Sequence, residues 1–248
     1  MTIIRTLLTV FALITALKIA TANSQELGPT NSNLSAPRAE PLSPAPKAEP
    51  LSPAPKAEPV KRPIKPPKID DNITGEEKAN NLLEYANYVY SQKQWELASS
   101  YYQKYLAIQP STDESASAWY RLGESFLKQK DISAAEKSYL AIIEKFSSSE
   151  YFNAASYRIG SIYYSDNQYK KASTFFDAAK KTATKNNIKL SAAYYHARCL
   201  REIKENESAL AAYEELSAIQ NENPYREAAL LTIARIYAER ENNEKSIQ

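Results

Sequence analysis

Apolar residues recur along the C-terminal two-thirds of this chain at a spacing that paired helices satisfy. Trp119, Leu122, Gly123 and Phe126 stand at i, i+3, i+4 and i+7, one face of a helix. Lys128, Gln129, Lys130 and Asp131 break the pattern, and Asp131 is placed to cap a second helix. Ala135, Tyr139 and Ile142 then face back toward the first. The pattern predicts two helices joined by a tight turn. A small residue on each lets the axes approach, and an aromatic fills the space beside it.

This unit repeats. Ala86, Gly123, Gly160, Ala197 and Ala234 follow one another at steps of 37 residues. Ala98, Ala135, Ala172 and Ala209 form a second series at the same step, each followed four positions later by Tyr102, Tyr139, Phe176 or Tyr213. Val89, Phe126, Tyr163, Leu200 and Tyr237 form a third. One register for three series predicts an all-α solenoid over residues 76–248, with four two-helix units and a partial fifth. Residues 111–114, Ser-Thr-Asp-Glu, read as a capping box that opens a unit, and Pro224 opens the last. The second-helix small residue of the fifth unit falls at Ser246, two residues before the end of the sequence. Either a helix from Tyr225 to about Arg240 caps the array, or the sequence is a truncated product.

Composition divides the chain. Of 14 prolines, 11 lie between Pro37 and Pro67, whereas all 18 tyrosines lie between Tyr85 and Tyr237. Residues 36–59 repeat the nine-residue unit Ala-Pro-Arg/Lys-Ala-Glu-Pro-Leu-Ser-Pro. Such a segment cannot bury enough apolar area to offset chain entropy, so residues 23–75 read as a disordered proline-rich arm. In polyproline II conformation, at about 3.1 Å per residue, residues 36–67 reach roughly 100 Å. The arm is a stand-off spacer or a proline-rich ligand for a partner domain.

Residues 1–22 read as a signal peptide. Arg5 supplies the positive end and residues 6–17 the apolar run, with Ala20, Thr21 and Ala22 preceding cleavage before Asn23. An uncleaved N-terminal anchor is the alternative. Export in a bacterial style makes the periplasm the expected location, with secretion as the other outcome.

Charge adds little. The net charge is +2, and from Glu76 onward 22 Lys+Arg face 23 Asp+Glu, so nothing favours nucleic acid. Lys61, Arg62, Lys65 and Lys68 are the one local excess: a solvated linker, or a weak contact to an anionic envelope surface. One histidine, one cysteine and four glycines support no catalytic pair, metal cluster, cofactor site or phosphate loop by motif, so the chain is not expected to be an enzyme. Cys199 reads as a small buried hydrophobe and His196 as a structural side chain.

Trp119, Leu122, Gly123 and Phe126, followed by Ala135 and Tyr139, resemble the tetratricopeptide repeat signature. Ile159, Gly160 and Tyr163 with Ala172 and Phe176 fit it as well. The usual period is about 34, so the extra residues fall between units. The opening of the third unit is similar to the longer repeats of bacterial envelope proteins, the Tol-Pal-associated cell division coordinator and the outer-membrane assembly lipoprotein. The resemblance implies a superhelix whose first helices line a concave, protein-binding groove. By register that face carries Tyr90, Tyr120, Glu124, Tyr157, Tyr164 and Tyr194, with Arg198, Arg201 and Arg235 at its C-terminal end. Tyr120, Tyr157 and Tyr194 would form a ladder of rungs for a peptide or helix, or would pack between helices instead. The expected function is a protein-protein interaction scaffold or adaptor of the cell envelope. A secreted protein that engages another cell, and a structural spacer, remain open.

Overall fold

The computed structural model describes residues 65–67, 74–108, 113–183, 186–220 and 222–247. The signal peptide with Ala22 and Asn23, the proline repeats, Lys61, Arg62, Lys68, Ser111 and Thr112 lie outside these residues.

Paired helices fill the described chain as the register predicts. The pairs are α1 (Gly75–Ser91) with α2 (Trp95–Ile108), α3 (Asp113–Lys128) with α4 (Ile132–Lys145), α5 (Tyr151–Ser165) with α6 (Tyr169–Thr182), and α7 (Asn186–Glu202) with α8 (Asn206–Ala218). A last helix, α9 (Arg226–Ile247), opens the fifth unit. It runs past Arg240, and Ser246 belongs to that same helix.

The small-against-aromatic rule holds at atomic distance. A Cβ on Gly123 would lie 2.6 Å from the Tyr139 ring, and one on Gly160 would lie 2.8 Å from Phe176. Tyr139 and Phe176 are fully buried, so neither ring can give way. Buried side chains form four clusters, and each spans one unit and the first helix of the next. Every unit therefore completes its core on its neighbour, the nearest-neighbour logic of a solenoid. Successive first helices also touch (α1 with α3, α3 with α5, α5 with α7), which puts them on the inner side of the curve.

The turns inside units share one unforeseen geometry. Lys93, Lys130, Asn167 and Lys204, spaced by 37, have φ of 59°, 64°, 58° and 65°. Each is the left-handed residue that ends a first helix. The next residue's N–H reaches back to the carbonyl of Val89, Phe126, Tyr163 or Leu200, at 2.9–3.0 Å. Each left-handed residue donates its own N–H to the carbonyl of Tyr90, Leu127, Tyr164 or Arg201. This double bond pattern stops the helix and turns the chain. Asp131 then caps α4, accepting from the Ala134 N–H at 3.0 Å as its position predicts. Thr74 does the same for α1, accepting from Glu77 at 3.1 Å. Beside Pro224, Asn223 organises the last inter-unit turn: its Oδ1 accepts from Tyr225 N–H and its Nδ2 donates to Leu216 O.

A lysine in the left-handed region carries a Cβ clash of about 1–2 kcal/mol that glycine lacks. Lys130→Gly should raise the unfolding free energy by about 1 kcal/mol after the added unfolded-chain entropy is subtracted. Urea denaturation checks this. The gain at Asn167→Gly should be smaller, because asparagine tolerates that conformation.

Candidate functional site

The ladder of tyrosines exists, but it is closed. Tyr120, Tyr157 and Tyr194 are only 1%, 5% and 5% exposed. Three residues at the start of the following unit, Tyr151, Ile188 and Tyr225, cover them at the same 37-residue step. The Tyr151 ring centroid is 5.6 Å from that of Tyr120, and Tyr225 stacks on Tyr194 at 4.8 Å. The Tyr225 hydroxyl is 2.9 Å from Ser191 Oγ. These three tyrosines belong to the core and not to an open groove.

Glu124 is likewise engaged within the fold. Its carboxylate accepts the Tyr139 hydroxyl at 2.5 Å from its own unit and the Arg158 guanidinium at 2.8 Å from the next. Arg158 Nε lies 2.7 Å from the other contact oxygen, so the pair meets side-on. One unit earlier Asn87 plays the same part, accepting from Tyr102 at 2.8 Å and from Arg121. The pattern is an acceptor on a first helix, a phenol on its partner helix and an arginine on the next first helix. The 37-residue spacing of Arg121 and Arg158 was the sequence signal for it. At the third junction the same positions hold Ser161, Phe176 and Tyr195, and Tyr195 stacks on Phe176 at 5.4 Å instead. Burial pulls the Arg158 pKa down most strongly of any single cause, but Glu124 and the phenols of Tyr120 and Tyr139 together more than offset it, and the group is held well above its ordinary value.

Removing one partner of a buried ion pair costs about 3–5 kcal/mol. Arg158 and Glu124 keep 23% and 13% of their side-chain exposure, so screening reduces the expected cost of Glu124→Ala to about 2–3 kcal/mol. The double variant Glu124→Leu with Arg158→Leu should recover much of that loss, because it leaves no unpaired charge. Chemical denaturation of both checks the prediction.

What stays open on the first helices is a second row. Tyr90, Leu127 and Tyr164, again 37 apart, are all half-exposed. Tyr90 meets Trp95 edge-on at 5.3 Å, with Arg121 over its ring at 6.0 Å. Tyr164 meets Tyr169 and Tyr195 edge-on at 5.3 and 5.4 Å. Burial pushes both phenols up to about 12, so each remains a neutral donor. The Arg198 guanidinium sits over the rings of Tyr164, Tyr194 and Tyr195 at 5.3–5.8 Å. Arg201 does not stand free: it pairs with Glu239 at 2.7 Å. Arg235 is half-exposed and makes no ion pair among the described residues.

Cys199 is fully buried, and burial raises its thiol to about 12. His196 Nδ1 lies 3.1 Å from both Ser173 Oγ and Ser173 O, and burial lowers its pKa.

The paired helices, the small-against-aromatic packing and the 37-residue register define a superhelical helix-pair repeat protein. Residues 83–188 carry tetratricopeptide repeats: the tetratricopeptide repeat family model matches residues 83–150 and again 120–188. No curated protein matches. Among solved structures, YrrB, described as a TPR protein with an unusual peptide-binding site, is 21% identical, with 68% of this chain and 81% of that one covered and a TM-score of 0.54. A Podosopora anserina protein described as a kinesin light chain with nearly identical TPR-like repeats is 13% identical, with coverage of 70% and 91% and a TM-score of 0.50. At these identities the likeness concerns the fold.

Proposed function

We propose that this chain is an exported scaffold of the bacterial cell envelope that binds a peptide or protein segment along the inner face of its first helices. One observation carries the reading: the half-exposed row Tyr90, Leu127 and Tyr164 runs along that face at the repeat step. Rigid rings with polar tips offer contact area at small entropic cost. Arg235 adds an open cation near the C-terminal end, and Arg198 lies beside Tyr164. The ligand that fits is an apolar segment with a carboxylate toward that end. YrrB, which shares the fold, has a peptide-binding site, and the signal-like N-terminus supports export.

A photoreactive residue at Leu127 should crosslink a partner in living cells, while one at exposed Lys145 should not. Tyr164→Ala with Arg235→Ala should abolish the Leu127 crosslink and leave the helical content intact. An undiminished crosslink in the folded double variant would overturn the assignment. Fractionation tests the location: recovery from the medium alone would replace the envelope reading with a secreted one.

A further inference from the structure

On the outer side, between α2, α3 and α4, lies an open groove of about 530 Å³. Its walls include Leu106, Trp119, Leu122 and Phe126, with Gln103 and Lys137 among its polar lining. No lining residue is acidic. Ser138, in its lining, stands where the next unit has Phe175. There Phe175 stacks on Tyr163 at 5.6 Å, and Tyr163 is the register equivalent of Phe126. Phe126 therefore lacks the ring that its equivalent packs against. The Trp119 indole N–H is buried with no acceptor. That deficit is one that a carbonyl on an entering chain relieves once the ring tilts.

We propose that this groove is the docking site of the chain's own proline-rich arm, residues 36–59. Proline-rich segments recognise aromatic-lined grooves because their backbone is already extended and loses little entropy on binding. The arm presents Pro-Leu-Ser-Pro twice, with a glutamate two residues before each leucine, at Glu40 and Glu49, and again at Glu58. Those carboxylates complement Lys137 in a lining that has no acidic group. Length permits the contact within one molecule. Residues 60–74 separate the repeats from α1 and extend about 45 Å in polyproline II. The groove lies two or three helix widths away, at about 8–10 Å each. Docking would convert a long stand-off arm into a short one. The site is separate from the inner face, so it does not depend on the proposed ligand.

The test uses the full chain with Trp95→Phe, which leaves Trp119 as the sole tryptophan. Acrylamide quenching of Trp119 is compared with that of the same chain carrying serine at Pro41, Leu42, Pro44, Pro50, Leu51 and Pro53. The arm substitutions should raise the quenching constant severalfold and shift the emission to longer wavelength. Ser138→Phe, which fills the groove with the ring the next unit already accommodates, should sharpen the arm's nuclear magnetic resonance signals with helical content unchanged. Equal quenching in the two chains, or arm signals unmoved by Ser138→Phe, overturns the proposal. Protection that disappears on dilution also overturns it, because the arm would then come from a second copy.

Discussion

Raising the pH past about 10, the ordinary tyrosine pKa, should unfold the array cooperatively. Tyr102, Tyr120, Tyr139, Tyr157 and Tyr213 are all 5% exposed or less, and burial raises the pKa of every one. In the unfolded chain these phenols lose their protons near pH 10. In the folded chain they keep them to higher pH. The unfolded state then binds fewer protons than the native one, so stability falls as pH rises. Each buried ring contributes up to about 1.4 kcal/mol per pH unit above that point. Five rings exceed a typical stability of about 5–15 kcal/mol within one to two units. Tyrosinate absorbance and far-ultraviolet circular dichroism should therefore change together in one transition. A smooth rise in absorbance ahead of any helix loss would contradict the burial of these rings.

The second large effect is Tyr157→Ala combined with Tyr194→Ala. An exposed ladder predicts a folded variant with lost binding. The closed ladder predicts lost folding. Tyr157 packs on Phe176 at 5.5 Å and Tyr195 at 6.2 Å, within the cluster that joins the third and fourth units. Tyr194 lies against Tyr213 and Tyr225 in the next cluster. Truncating a buried aromatic to alanine costs about 3–5 kcal/mol through lost transfer energy and the cavity left behind. The two sites sit in adjacent clusters, so the double variant should lose most of the array's stability. Thermal and urea melts read this directly. A double variant that melts like the parent would show the rings to be surface groups after all.

The helix pairing was legible because it is a consequence of local pattern. Gly123 facing Tyr139 and Gly160 facing Phe176 follow from periodicity alone, since a helix fixes which residues share a face. The Asp131 cap was legible for the same reason: it needs only its own short segment. The left-handed turn lysines were hidden, because glycine and not lysine is the usual mark of that conformation. Their common register at 37 was the available clue. On the candidate face, Tyr90 and Tyr164 stand half-exposed, while Tyr120, Tyr157 and Tyr194 follow the alternative the register left open and pack between helices. Burial of a ladder residue depends on what the following unit sets against it, and no residue within the ladder reveals that.

The sequence by itself determined the units, their step, and which residues face inward within each helix pair. Those are properties of a 3.6-residue helical period repeated at a fixed interval. Only the tertiary structure decided the fate of everything at the junctions between units. It placed Tyr151 and Tyr225 over the tyrosine rungs, and it joined Glu124 to Arg158. It also left a groove between α2, α3 and α4. The reason is physical: a junction's packing depends on the volumes of side chains from three helices together. Those helices meet only when successive units stack.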